Sequence, residues 1–375
     1  MNCLMNITCH KNYKAIIKIK PMKNSITKIA TVITLLLCNT FYAQNIITVD
    51  NNVNSSANYT SLQTAIDNAQ ENDFIYLYPS ETSYGSCTIK KKLHLRGIGH
   101  TPEITNGVGA TIASITFDRS TTPATNPTGS SISGLIISGI FTIYSSGTSF
   151  SFSDIVLENN KIANISTATS CHNWIIRGNV ITGYVSIETN NHNWQFVNNF
   201  FNSSVFSAVL TNLRNDCVVS NNIFLRANIS GTSYVIFSNC FNIASNNMFI
   251  AQNATVTAID VTSGGSNVLL SNSLSFNTTG TTLTDLPGTG NYNNTNPSFV
   301  LAPTLTSYSV TNDYHSSNAT LLGTDGTTIG VYGLNFPFNK RGYSFSMPFI
   351  ESMTILNPTI PANGTLQINL TAKSN

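Results

Sequence analysis

Between residues 155 and 249 one arrangement of apolar and polar positions recurs five times. The copies are Ile155 to Ile162, Trp174 to Ile181, Trp194 to Phe201, Cys217 to Phe224 and Asn242 to Phe249. Each is eight residues long and carries asparagine at its sixth position: Asn160, Asn179, Asn199, Asn222 and Asn247, separated by 19, 20, 23 and 25 residues. An apolar residue lies three before each of these asparagines (Leu157, Ile176, Phe196, Val219, Ala244) and another two after it (Ile162, Ile181, Phe201, Phe224, Phe249). Weaker copies flank the five, one ending in Gly139-Ile140-Phe141 and one in Asn272-Ser273-Leu274. A period of this length marks a solenoid coil.

The two apolar positions belong to successive strands, and the asparagine between them suits a corner. Its short amide tolerates left-handed backbone and can hydrogen-bond its counterpart one coil away. Stacked copies form an asparagine ladder. Further β-type runs separate the copies, among them Tyr184 to Ile187, Val205 to Leu210, Tyr234 to Phe237 and Val256 to Val261, which gives two or three short strands per coil. Such a coil cannot bury its own apolar face, so coils stack in parallel register at about 4.8 Å. The open first coil then needs a cap. Leu62, Ala65, Ile66 and Ala69 follow helical spacing, and Thr60 with Gln63 reads as a capping box. The expected fold is all-β: a single-stranded right-handed parallel β-helix with an N-terminal capping helix and a C-terminal strand extension.

A resemblance follows from the two ends of the array. The capping segment Tyr59 to Ile66, the strand Phe74-Ile75-Tyr76-Leu77-Tyr78-Pro79 and the run Leu93-His94-Leu95-Arg96-Gly97-Ile98-Gly99 resemble the entry of pectate-lyase-like β-helix proteins. Asn296-Pro297-Ser298-Phe299 and Gly323 to Gly330 resemble the closing turns of secreted members of that group. Where the family often has Pro-Gly-x-Tyr, this chain has Pro79-Ser80-Glu81 and a later Tyr84. The resemblance implies the fold and hardly constrains the activity.

The domain reading is residues 1–43 as leader and signal peptide, 44–335 as β-helix, and 336–375 as a C-terminal β extension. The signal rests on Lys23 and Lys28, the apolar run from Ile29 to Leu37, and Phe41-Tyr42-Ala43 before Gln44. Residues 1–21 are then a long leader or a misassigned start. Localisation outside the cell, at its surface or in the periplasm follows, with no transmembrane segment after signal removal. In the tail, Met353 to Leu356 and Leu366 to Leu370 read as two strands. The position four before the asparagine is also apolar in most copies (Leu135, Val156, Ile175, Val218, Ile243, Leu269, interrupted by Gln195), and the tail is expected to pack along it.

Only 9% of residues are charged. Without residues 1–43 the chain carries 12 basic against 16 acidic residues, a net charge of −4. No basic stripe remains to neutralise phosphates, so nucleic acid is not an expected partner and polysaccharide is. Cys87, Cys171, Cys217 and Cys240 fit no metal-binding spacing and read as isolated buried thiols. No metal site and no cofactor is evident, although calcium stays open.

Lyases and hydrolases of acidic polysaccharides need clustered carboxylates with calcium and a base, or paired acids. Neither cluster is legible. Asp154 and Asp216 share a column but have Asn173 and Asn193 between them, roughly 14 Å apart. The carbohydrate-binding candidates are Lys161, Arg177, Glu158, Glu188, Arg214, Asp216 and Arg226; Glu158 and Arg177 occupy one outward column on adjacent coils, where a structural pair is the simpler reading. His172-Asn173-Trp174 recurs as His192-Asn193-Trp194, and the parity of both tryptophans points inward; each histidine is expected to bond backbone. Three readings stay open: a scaffold that binds or organises carbohydrate, a polysaccharide lyase or glycosidase, and a structural or adhesive module.

Overall fold

The computed structural model describes residues 45–101, 107–121, 124–143, 151–203, 208–226, 231–303, 305, 307–343, 349–357, 359–360 and 362–373. The signal reading of residues 1–43 lies outside the described residues. Between Ile46 and Thr289 the described residues form a parallel β-helix. An 11-stranded sheet runs from Ile46–Val49 to Gly288–Thr289, a 13-stranded sheet forms a second wall, and a three-stranded sheet of Ser151–Ser153, Ser170–His172 and Asn191–His192 forms part of a third. Strands on these walls pair in parallel with the strand one coil away: Ile175 with Gln195, Ile176 with Phe196 and Arg177 with Val197, for example.

The apolar positions identified in the sequence point inward. Leu157, Ile176, Phe196, Val219 and Ala244 are buried, as are Ile162, Ile181, Phe201, Phe224 and Phe249. Phe201, Phe224 and Phe249 stack on consecutive coils, with ring centroids 4.5 and 5.0 Å apart. Trp174 and Trp194 are core indoles stacked at 4.6 Å, their Nε1–H groups donating to the carbonyls of Phe152 and Cys171.

All five ladder asparagines are fully buried. Asn160 N–H donates to Asn179 Oδ1 at 2.9 Å, Asn179 to Asn199 at 2.9 Å, Asn199 to Asn222 at 2.9 Å and Asn222 to Asn247 at 3.0 Å. Ser273 and then Asn291 continue the file. One detail differs from expectation: the left-handed residue is the one before the ladder position. Asn159, Gly178, Asn198, Asn221, Asn246 and Asn272 have φ between 45° and 63°, whereas no ladder asparagine has positive φ. The corner thus divides its labour, one residue reversing the backbone and the next bonding along the stack. Leu135 also shifts register. It occupies the ladder position of its coil, donating to Asn160 Oδ1 at 3.1 Å, and Ser131 is the residue that pairs with Val156.

The helix spans Leu62–Asn68 and buries Leu62, Ala65 and Ile66. Its N-cap is Ser61, whose Oγ accepts from Thr64 N–H at 3.3 Å. Gln63 does not close a capping box; it bonds both backbone groups of Thr88, at 2.8 and 3.2 Å. That joins the helix to the strand Ser86–Ile89. Tyr84 ties the first turn through its hydroxyl, which donates to Tyr78 O at 2.8 Å.

Packing of the C-terminal region corrects the sequence reading. The file expected to be covered is not: Ile243 and Leu269 are 58% and 65% exposed, and Val156, Ile175 and Val218 are half-buried. The covered column is the one immediately after the ladder positions from Asn179 to Ser273; Lys161, after Asn160, is exposed. Val180, Phe200, Ile223, Met248 and Leu274 point outward from the second sheet into a separate core with Tyr314, Leu321, Ile329, Val331 and Phe338. A strap of residues 322–343 then runs back along the corner. The left-handed asparagines grip it: Asn272 Nδ2 donates to Leu322 O (3.1 Å), Asn246 Oδ1 accepts from Thr324 N–H (2.9 Å), Asn198 Nδ2 donates to Val331 O and Gly333 O (2.7 and 2.8 Å), and Asn159 Nδ2 donates to Tyr343 O (3.2 Å). The expected pair of tail strands exists as the antiparallel hairpin Phe349–Ile355 and Ile368–Lys373. Its Met353, Ile355, Ile368 and Leu370 are exposed, so within the expected extension the covering residues are Phe336 to Tyr343 and not these strands.

Candidate functional site

The corner that leads from the third sheet into the first is where exposed chemistry gathers. Asp154, Asn173 and Asn193 each take a left-handed conformation there, with φ of 59°, 59° and 54°, a backbone that Asx residues adopt more cheaply than other non-glycine residues. Because the flanking strands are in register, the three exposed side chains line up. Asn173 Nδ2 donates to Asp154 Oδ1 at 3.0 Å and Asn193 Nδ2 to Asn173 Oδ1 at 3.0 Å. A second file stands beside it. His172 and His192 pair residue to residue, their ring centroids 5.3 Å apart, and Asp216 extends the file, its Oδ2 lying 3.1 Å from His192 Nδ1. Both files are fixed from below by the buried Trp174 and Trp194.

Electrostatically the corner is mixed. Burial and the neighbouring His192 hold the His172 imidazole below its ordinary pKa, so it is neutral at neutral pH. Arg214 Nε donates to Thr189 O at 2.6 Å, and Glu188 Oε1 accepts from Thr189 Oγ1 at 2.9 Å. Of the residues singled out in the sequence, Glu188, Arg214 and Asp216 are therefore brought to one corner region, on the coils of His192 and its successor.

The others lie elsewhere. Glu158 and Arg177 pair across adjacent coils as expected, at 2.7 Å, and the Phe336 ring of the strap lies 4.1 Å from the Arg177 guanidinium carbon. That guanidinium is engaged on one side by carboxylate and on the other by an aromatic face, which makes it a fastening for the strap. Arg226 is a correction: at 1% exposure, against the Tyr234 ring at 5.1 Å, it is an interior group and not a surface cation. Lys161 is exposed on the second sheet and near His100, whose imidazole is held below its ordinary pKa by burial first and by this cation second. The expectation that each corner histidine bonds backbone is also corrected, since His192 meets a carboxylate and His172 Nδ1 meets no partner. Asp154 and Asp216 do not converge, because the two asparagines stand between them as the spacing requires.

Cys87, Cys171, Cys217 and Cys240 are free and buried. Among the described residues no three histidine, cysteine, aspartate or glutamate side chains surround one point, and no helix is long and apolar enough to cross a membrane. Sequence reasoning placed Asn173 and Asn193 in one column but missed that their amides are bonded into an exposed file. The signal was there in the 20-residue recurrence of His-Asn-Trp, with the asparagine immediately before an inward-facing indole. Comparison with family models, curated proteins and solved structures found no match to this chain.

Proposed function

We propose that this chain is an exported, noncatalytic scaffold, similar in fold to pectate-lyase-like proteins, that binds polysaccharide at or outside the cell surface along the corner of Asp154, Asn173 and Asn193. The observation carrying this reading is the exposed file of one carboxylate and two amides on three consecutive coils. Each primary amide has two N–H donors and an oxygen with two lone pairs. The file uses only some of that capacity, and the rest faces solvent at a fixed repeat. A ligand made of repeating hydroxylated units matches a protein surface made of repeating hydrogen-bonding units. Export is supported by the charge and hydropathy of residues 22–43.

The dispersal of the titratable groups weighs against the lyase and glycosidase readings. Arg177 is fastened between Glu158 and Phe336, Arg226 is interior, and Asp154 and Asp216 are held apart. Retention on a panel of immobilised glycans tests the proposal. Asn173→Gly with Asn193→Gly keeps the left-handed backbone while removing both amides, so it should abolish retention and leave the unfolding midpoint within a few degrees of the parent. Unchanged retention would refute the assignment to this corner. Release of unsaturated uronic products, followed by ultraviolet absorbance, would replace it with a lyase.

A further inference from the structure

We propose that His172 and His192 form a surface site for a borderline divalent transition-metal ion, Cu2+ or Zn2+, held by one imidazole nitrogen from each of two consecutive coils. The inference is independent of the glycan reading, since it uses the neighbouring file of side chains.

Register supplies the geometry. The strands Ser170–His172 and Asn191–His192 pair His172 directly with His192, so both rings leave the same point of successive coils with centroids 5.3 Å apart and planes inclined by 32°. Tautomer chemistry supplies the ligand atoms. His192 Nδ1 lies 3.1 Å from Asp216 Oδ2, and an ionised carboxylate only accepts. The proton of neutral His192 therefore sits on Nδ1, and Nε2 keeps its lone pair. A carboxylate behind the imidazole is the arrangement that orients metal-binding histidines and raises their basicity. His172 turns Nδ1 inward, shut off from solvent and without a hydrogen-bond partner, which leaves Nε2 as the ring nitrogen open to an ion.

The local charge suits a cation. Asp216 meets His192 and Asp154 stands in the neighbouring file on Asn173, with Glu188 on the adjoining turn, and Arg214, tied to Thr189 O, is the nearby opposing charge. Imidazole nitrogen selects zinc, copper and nickel over calcium and magnesium. Since no third protein ligand among the described residues converges on the pair, two nitrogens hold the ion and water fills its remaining positions. Such a site is open, exchangeable and lost on acidification, because protons compete for the same nitrogens.

The chain contains two tryptophans, and both lie beneath this corner, Trp174 two residues after His172 and Trp194 two after His192. Titration of the full chain with Cu2+ should therefore quench tryptophan fluorescence saturably, and Zn2+ should restore it by competition. Asp216→Ala should shift the Cu2+ midpoint upward by about 10- to 100-fold, as loss of an orienting carboxylate does. The double variant His172→Ala with His192→Ala should lose the saturable phase while keeping the parent circular dichroism spectrum. His315→Ala serves as a control on a remote histidine and should leave the midpoint in place. An unshifted midpoint in the folded double variant, or one that moves only with His315→Ala, would overturn the proposal. Should the double variant fail to fold, an unshifted midpoint in Asp216→Ala would overturn it equally.

Discussion

Replacing Asn199 by alanine removes the middle rung of the buried ladder, and the structure sets the size of the effect. Asn199 is fully buried. Its Oδ1 accepts from Asn179 N–H at 2.9 Å and from Asn179 Nδ2 at 3.0 Å, while its Nδ2 donates to Ile176 O at 2.8 Å and Asn222 Oδ1 at 3.0 Å. Asn179 Nδ2 keeps Leu157 O and Arg177 O after the substitution, and Asn222 Oδ1 keeps the backbone N–H of residue 199. One group loses its partner, the backbone N–H of Asn179; the carbonyl of Ile176 keeps the bond from Val197 N–H in the parallel ladder. A buried polar group without a partner costs about 1–3 kcal/mol, so the substitution should destabilise by about that amount. Urea unfolding followed by far-ultraviolet circular dichroism measures it. Asn193→Gly, at an exposed corner with its left-handed backbone kept, is the reference and should cost under about 1 kcal/mol. A cost for Asn199→Ala no larger than that of the reference would refute the claim that the amide file holds the coils together.

Other consequences are open to test. Gly178 has φ of +63°, and a Cβ there would come within 2.6 Å of Asn159 Oδ1 and 3.0 Å of the Phe336 ring; Gly178→Ala should therefore loosen the strap, seen as faster proteolysis between residues 330 and 345 with the coil stack intact. His100 is buried and its pKa is depressed to about 3 by loss of solvation. The unfolded chain binds this proton near pH 6.5 while the folded chain does not, so stability falls as pH drops from about 6.5 towards 3 and flattens below; His100→Gln should flatten that limb, and an unchanged slope would count against the assignment. Burial pushes the Cys87 and Cys171 thiols up to about 12, so all four described cysteines should resist alkylation at neutral pH until the chain unfolds.

The ladder was legible in the sequence because a buried amide needs the same partner on every coil, and that requirement repeats itself as Asn160, Asn179, Asn199, Asn222 and Asn247. The strap was not. Its bonds join residues such as Asn198 and Val331, 133 positions apart, and nothing periodic in residues 322–343 announces them. A signal for the covered face did exist in the apolar doublets Val180-Ile181, Phe200-Phe201, Ile223-Phe224 and Met248-Phe249. When both faces of a strand are apolar, both faces are buried. Reading the stripe one strand earlier instead picked out Ile243 and Leu269, which single exposed side chains on a sheet can explain. The candidate cations divided for a similar reason. Glu158 and Arg177 follow from register alone, whereas the burial of Arg226 depends on Tyr234, whose position no local rule supplies. At the candidate corner the recurrence of His-Asn-Trp gave the column, but the pairing of His192 with Asp216 depends on the turn that precedes Cys217.

In-register stacking of coils about twenty residues long is tested most directly by a cysteine pair on neighbouring strands. Ile175 and Gln195 face each other in parallel register, at a strand spacing within the 4.4–6.8 Å Cα separation that a disulfide spans. Mild oxidation of the variant carrying Ile175→Cys and Gln195→Cys should form that bond quantitatively, as read by mass spectrometry of the digested protein. Ile175→Cys with Ile243→Cys, three coils apart, should stay reduced. Free thiols in the first variant, or equal cross-linking in both, would contradict the stacked arrangement.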